Sequence, residues 1–251
     1  MTGLAAGPVP SLSESERFGL SVGRLHVEKG QSSEAAVDLA RAAVHAGSCD
    51  LVILRCPEPI DAGLIDGVGI IDAGCAVTYE GAVAGTAARE TSGSGRLQRI
   101  TRWSAREADI VERIFAGYRN HVAANPRLDP GLVPAGYADW SARHVDGRVP
   151  GDCYLLEDEG GETLAFAAVA PSDDAFVVDL AGVLPAHRGR GVYQRLLDLI
   201  EVEAAERGLA RVRIATQVET TVAIHAWERR GWFETAREWT VHVMAGRDGR
   251  I

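Results

Sequence analysis

One short segment limits what this chain can become more than any other. Val183-Leu-Pro185-Ala-His-Arg188-Gly189-Arg190-Gly191-Val192-Tyr193 carries an apolar strand into the clearest amphipathic run of the sequence. In that run, Val192–Arg207, the residues Val192, Leu196, Leu199, Ile200 and Ala204 fall on one face, and Gly208 stands where a helix would stop. A strand, a turn of arginine and glycine, and a helix that starts at once make an anion cradle. The first N–H groups of a helix lack intrahelical partners, and the peptide dipoles concentrate positive potential there. Glycine lets the backbone approach a ligand, and Arg188 and Arg190 can add charge-assisted hydrogen bonds. An ordinary strand-to-helix turn with surface arginines is the alternative reading of the same residues. No third glycine completes Gly-x-Gly-x-x-Gly, and no Gly-Lys-Ser/Thr is present, so neither a dinucleotide fingerprint nor a nucleotide-triphosphate loop is indicated.

The rest of the chain reads as alternating strands and helices. Residues 1–14 are rich in Gly, Pro and Ser and are expected to be a flexible tail, without the charged and apolar regions of a signal peptide. Residues 15–83 alternate: strand Leu20–Val27, helix Ser33–Ala46 with Ser33 as a cap, strand Leu51–Leu54, a short helix at Ala62–Asp66, and strand Ala76–Tyr79. That pattern suggests a small α/β domain. Residues 84–96 are small and polar and read as a linker. From 97 to 251 the expected order is strand Leu97–Trp103, helix Glu107–Tyr118, a proline-bearing loop His121–Pro134, and helix Gly136–His144. Strands Cys153–Glu157, Leu164–Ala170 and Phe176–Leu184 follow, then the long helix, strand Leu209–Thr216, helix Thr221–Arg230, and two strands near Trp232–Thr235 and Trp239–Met244. The fold class is α/β (α+β): a mixed twisted sheet with flanking helices, preceded by the smaller α/β unit.

Composition narrows the function classes. The 251 residues carry 26 Lys and Arg against 35 Asp and Glu, a net charge of −9, which argues against non-specific nucleic-acid binding. Hydrophobic residues at 46% and charged residues at 24% fit a folded chain. No stretch reaches the roughly 18–20 apolar residues of a membrane span, so no membrane partner is expected and the location reads as cytoplasmic. Cys49, Cys56, Cys75 and Cys153 show no Cys-x-x-Cys spacing. They are expected to be buried free thiols, and no His/Cys cluster suggests a metal site.

The loop and its downstream elements together resemble the GNAT superfamily of acyl-CoA-dependent N-acyltransferases, over about Leu97 to Met244. The family signature is Arg/Gln-x-x-Gly-x-Gly/Ala after a strand ending Val-x-Pro. Val183, Pro185, Arg188 and Gly191 match it, and Tyr193 departs from the final Gly or Ala. Ser15-Glu-Arg-Phe-Gly19, Tyr137-Ala-Asp-Trp140, Arg213-Ile-Ala-Thr-Gln217, Thr220-Thr-Val-Ala-Ile224 and Arg230-Gly231 resemble segments of the dTDP-fucosamine acetyltransferases, a group that acylates nucleotide-linked amino sugars. The resemblance implies an acetyl-CoA or other acyl-CoA co-substrate, a small-molecule primary amine as acceptor, and no metal. It places the coenzyme against Ala181, Gly182 and Val183 on the strand, Arg188, Gly189, Arg190, Gly191, Val192 and Tyr193 in the cradle, and Thr220 at the next helix. Acceptor contacts are expected from the irregular stretch Tyr118–Trp140: Tyr118, Arg119, His121, Arg127, Tyr137 and Trp140. Tyr137 and Trp140 are equally explained as core packing.

The resemblance breaks at the leaving group. The family supplies a Tyr on the helix after the loop as general acid, and Trp227 stands at that position. Three readings are open: the thiolate leaves with solvent protonation, Tyr193 replaces the missing acid, or the chain binds acyl-CoA without efficient turnover. Candidate bases are Asp179, Asp72, His187 and His225. Asp179, in an apolar strand, suits a base if buried, and Asp72 enters only through the resemblance. Two further alternatives keep the fold: an acyl carrier protein as donor with a peptide or natural-product acceptor, or a non-catalytic acyl-CoA-binding module. A homodimer is a further expectation.

Overall fold

In the computed structural model, residues 7–65, 69–83 and 95–245 are described. Ten strands form a continuous sheet: β1 (Val9–Pro10), β2 (Val22–His26), β3 (Leu51–Cys56), β4 (Ile70–Ala82), β5 (Arg96–Arg99), β6 (Asp152–Glu157), β7 (Thr163–Ser172), β8 (Ala175–Val183), β9 (Arg211–Gln217) and β10 (Phe233–Met244). Their spatial order is β1-β2-β3-β10-β4-β9-β8-β7-β6-β5. Only β2–β3 and β8–β9 are parallel. The mixed α/β architecture expected from the sequence is present. β10 lies between β3 and β4, so strands from both ends of the chain share one hydrogen-bonded ladder. Most of the expected linker, residues 84–94, lies outside the described residues.

Among the described residues seven helices accompany this sheet: α1 (Leu12–Phe18), α2 (Ser33–His45), α3 (Ala62–Ile65), α4 (Ala105–Phe115), α5 (Val133–Val145), α6 (Val192–Glu206) and α7 (Thr221–Glu228). The period-2 alternation of the strands sorts their side chains. Cys153, Leu155, Phe166 and Ala168 meet α4 and α5, whereas Tyr154, Leu156, Ala165, Ala167 and Val169 meet α6. Because both faces are covered, β6 and β7 read as near-continuous apolar runs. In β3 the same alternation sends Val52, Leu54 and Cys56 to α2, and Leu51 and Ile53 to the segment around Val122 and Val133. All four cysteines are buried free thiols.

Several local expectations are corrected. The segment expected to be a tail holds β1 and the start of α1. Glu14 of that helix is buried because Arg24 of β2 grips its carboxylate through two hydrogen bonds of 2.7 and 2.8 Å. Ser32, not Ser33, caps α2, accepting from the Ala35 N–H at 3.2 Å. The two C-terminal strands are one strand: β10 carries a bulge at Thr235, between Glu234 and Ala236, which resets the alternation that sequence reading relies on, and a second bulge opposite Thr240 lies on β4 at Ala73–Gly74. The loop His121–Pro134 contains two short 3₁₀ turns, His121–Ala124 and Pro130–Leu132, before α5 begins at Val133.

A buried charge cluster fixes α6 to the end of α7. The Arg230 side chain is 5% exposed and donates to Asp198 at 2.8 Å, to Glu201 at 2.7 Å and to the Gln194 side chain at 3.0 Å. The Trp232 indole N–H adds a bond to Glu201 at 3.3 Å. Removing one partner of a buried pair leaves the other charge desolvated, which costs about 3–5 kcal/mol. Arg230→Ala is therefore expected to destabilise the fold on that scale. Urea denaturation measures it, and a shift within the range of an exposed ion pair would show the cluster to be solvated.

Candidate active site cleft

β8 keeps its antiparallel partner β7 as far as Val183, paired with Ala165, but it leaves its parallel partner β9 after Val178, paired with Ile214. Opposite β7 the register jumps between Val178 and Leu180, so Asp179 is the extra residue of a bulge. A bulge bends its strand and re-aims a side chain. From Asp179 to Val183 the backbone groups on the β9 side have no strand partner. The parting opens a cleft of about 1250 Å³ whose walls include Asp179, Ala181, Gly182 and Val183 on one side and Ile214, Ala215 and Thr216 on the other. Gly182 is required on the other face of β8: a Cβ there would lie 2.2 Å from Cγ2 of Ile114 in α4.

The cradle forms one end of this cleft. Pro185–His187 makes a single 3₁₀ turn, and Gly189 and Gly191 then take left-handed φ values of +74° and +78°. Gly191 caps α6 with no side chain over the helix end, and a Cβ at either glycine would meet nothing within 4 Å. Gly189, Gly191, Val192, Tyr193 and Gln194 all border the cleft. Arg188 has a different task from the one its sequence position suggests. Its Nε donates to the Val183 carbonyl at 3.1 Å and its Nη2 to the Ile114 carbonyl at 2.8 Å, tying the loop to β8 and α4. Arg190 is exposed and stands outside the cleft walls.

Tyr193, Trp227 and Thr220 line the cleft where the strands part. Trp227 is 1% exposed and stacks at a tilt on Tyr79, so its ring belongs to the core. Its indole N–H donates to the Tyr193 hydroxyl at 3.1 Å. The phenol accepts that bond and keeps its own proton for another partner. Burial holds the Tyr193 hydroxyl well above the ordinary tyrosine range. Thr220 caps α7 without a side-chain hydrogen bond to the helix.

Asp179 is partly buried and has a neighbour that sequence reading missed. His144 of α5, its side chain 3% exposed, sets Nε2 3.4 Å from an Asp179 carboxylate oxygen, while its Nδ1 lies 2.8 Å from the Pro150 carbonyl. That carbonyl only accepts, so Nδ1 bears a proton and Nε2 is the nitrogen turned toward the Asp179 carboxylate. The signal available in the sequence was slight: His144 follows Trp140 by one helical turn.

The expected acceptor residues divide. Tyr118, His121, Tyr137 and Trp140 line the cleft beyond the parted strands. The Tyr118 hydroxyl lies 3.0 Å from Thr216 Oγ1, and the Tyr137 hydroxyl accepts from Asn120 Nδ2 at 3.0 Å. Burial pushes the Tyr137 phenol up to about 12. Its ring packs edge-on to Phe115 at 5.0 Å, so it serves both wall and core. Arg119 is exposed outside the walls, and Arg127 turns away to donate to the Ala245 carbonyl. Asp72 is also outside. It is exposed on β4 and accepts from the Gly74 N–H at 3.0 Å, supporting a bulge. Of the other candidate bases, His187 borders the cleft beside Glu162 at 3.3 Å, and His225 is exposed on α7. Residues from the first part of the chain complete the far end: Glu14 and Arg17 of α1, Arg24 of β2 and Arg55 of β3. Among the described residues no group of His, Cys, Asp and Glu could hold a metal, and no helix is long and apolar enough to cross a membrane.

Comparison with known proteins agrees with this geometry. The mycothiol acetyltransferase of Cellulomonas flavigena is 30% identical over 118 residues, which are 47% of this chain and 31% of that protein. The chain thus matches about a third of that relative's length. A conserved protein of unknown function from Staphylococcus epidermidis superposes with a TM-score of 0.58 at 12% identity, covering 97% of this chain and 94% of the other. A GCN5-related N-acetyltransferase from Kribbella flavida gives 0.52 at 15% identity, covering 90% and 82%. These two likenesses are of fold. A sequence model described as "Acetyltransferase (GNAT) family" matches residues 105–232, about half of the chain and all of the cleft's cradle, so the chain belongs to the GNAT acetyltransferase family.

Proposed function

We propose that the protein is an acyl-CoA-dependent N-acyltransferase that acylates a small-molecule primary amine, with a nucleotide-linked amino sugar as the preferred acceptor class. The observation that carries this reading is the meeting of two features in one cleft: a bare, glycine-flanked helix start and a strand edge without a partner. The first suits a diphosphate. The second suits an extended amide-bearing arm, which can pair with a free strand edge. The groups that would hold the coenzyme are the backbone of Gly189 and Gly191 and the first-turn N–H groups of Val192 and Tyr193 in the cradle, Ala181–Val183 on β8, and Thr220. Arg188 acts by keeping the loop and strand in register. The coenzyme supplies a thioester carbonyl open to attack by an amine. The amino-sugar reading draws on the sequence resemblance and on the acceptor end of the cleft, where aromatic and charged side chains from Tyr118–Trp140 and from the first part of the chain meet.

Each remaining step falls to a residue on the wall. An ammonium must lose a proton before it attacks, and Asp179, the bulged residue, presents a carboxylate in the cleft with His144 behind it. The pair can take up one proton at Asp179 or at His144 Nε2. Free N–H groups along β8 are placed to stabilise developing negative charge on a carbonyl oxygen. At the leaving end the Tyr193 hydroxyl, oriented by Trp227, donates a hydrogen bond to the departing sulfur. A thiolate has a pKa of about 8.5, below that of a buried phenol, so Tyr193 stabilises the anion better than it protonates it. Solvent supplies the proton.

Mixing the protein with acetyl-CoA and a panel of nucleotide-linked and free amino sugars is expected to release coenzyme A, detected with a thiol reagent. No release from any member would overturn the amino-sugar assignment, and the absence of calorimetric binding of acetyl-CoA would overturn the acyltransferase reading. Tyr193→Phe removes a hydrogen bond to a charged group, worth about 1.5–3 kcal/mol. It is expected to lower kcat by roughly 10- to 100-fold and to leave the Kd of coenzyme A within about twofold. Asp179→Asn is expected to lower kcat by about 10²–10⁴-fold, the usual range for a proton acceptor, at unchanged coenzyme affinity. Wild-type turnover in that variant would exclude Asp179 as the base.

A further inference from the structure

We propose that the end of the cleft farthest from the cradle is an anion subsite, so that the amine acceptor carries a carboxylate or phosphate held by Arg17, Arg55 and the Nε2–H of His121. This rests on the acyltransferase reading only for the word acceptor. The subsite itself is argued from side chains on β3, α1 and the 3₁₀ turn at His121.

The polarity of the histidine follows from a chain of hydrogen bonds. The Arg127 N–H donates to Asn125 Oδ1 at 3.0 Å, which fixes which end of the amide is nitrogen. Asn125 Nδ2 then donates to His242 Nδ1 at 3.1 Å. That nitrogen must be bare, so the proton of the neutral His242 ring sits on Nε2, 2.9 Å from His121 Nδ1. His121 Nδ1 therefore accepts, and its own proton lies on Nε2, the remaining nitrogen of a ring that lines the cleft. His242 is fully buried and His121 is 8% exposed. Burial keeps both rings neutral, pushing His121 down to about 3 and His242 down to about 4. His121 is thus a fixed neutral donor across the physiological range.

The charges around it leave a cation over. The Glu14 carboxylate is taken by Arg24 in a bidentate pair. Arg55 gives Nη1 to Glu238 at 2.9 Å, but its Nε is buried without a partner. Glu238 also faces His26 at 3.3 Å. Asp139 and Arg143 of α5, one helical turn apart, carry opposite charge on the same wall. Arg17 makes no hydrogen bond or ion pair among the described residues, and its guanidinium lies 5.9 Å from the centroid of the Phe18 ring. Its seat is shaped for it: a Cβ on Gly136 of α5 would lie 1.9 Å from the Arg17 guanidinium carbon. Arg17, Arg24, Arg55, His121 and Tyr137 all line the same cleft. A seated, uncompensated guanidinium, an orphaned buried N–H and a neutral imidazole donor together match an oxyanion.

The test uses the full chain saturated with coenzyme A, which blocks the cradle, and titrates inorganic phosphate and sodium acetate separately at constant ionic strength. The His121 ring resonances, assigned with His121→Gln, are followed by NMR. A saturable shift with at least one of the two anions is expected, and which anion binds more tightly distinguishes phosphate from carboxylate. Arg17→Gln is expected to weaken that binding at least tenfold while coenzyme A affinity is unchanged. No saturable shift up to about 100 mM of either anion, or equal affinity in Arg17→Gln, would overturn the proposal. If coenzyme A itself fails to bind, the acyltransferase reading falls, and the same titration on the free chain still decides the anion subsite.

Discussion

The cleft exists because one pair of backbone ladders is not completed. β8 and β9 share hydrogen bonds only to Val178 and Ile214, and beyond that point a bulge at Asp179 turns β8 away. Buried backbone N–H and C=O groups demand partners, so a gap of this kind inside a sheet persists only where solvent or a ligand meets it. The β7 ladder on the other side of β8 and the close seat of Ile114 on Gly182 hold the bent strand rigid. The open edge is in this way a built feature of the sheet.

The helices that bound the gap are held to one another by polar contacts at its rim. Arg188 stitches the loop to β8 and to the end of α4. Arg230 joins α7 to α6 through Asp198 and Glu201. Between them the Trp227 indole aims the Tyr193 phenol.

Much of this was readable from residue order. The cradle residues were legible because glycine and arginine between a strand and a helix have a narrow set of uses. β6 to β8 and α6 were legible because their apolar periods are long and uninterrupted. What was hidden depended on distance across the sheet. Nothing in the sequence pairs β10 with β3, and the bulges in β10 and β8 erase the alternation that would have located them. His144 could not be linked to Asp179, nor His121 to His242, because each pair comes from elements far apart in the chain. The charge of Arg188 was visible in the sequence, whereas its two carbonyl acceptors, on β8 and α4, were not. Asp72 and Arg127 stand outside the cleft walls: Asp72 accepts from the nearby Gly74 N–H, and Arg127 reaches the Ala245 carbonyl at the far end of β10.

The position of β10 has a consequence for the order in which the molecule can assemble. This strand is synthesised after the other nine, yet it fills the slot between β3 and β4. Until it emerges from the ribosome, β2 and β3 have no ladder connecting them to the remainder of the sheet, and the long inner edges of β3 and β4 are bare. Exposed edges of that kind are templates for pairing with a neighbouring chain, and contacts of large sequence separation form slowly. Completion of this sheet therefore waits on β10, which closes it as a keystone closes an arch.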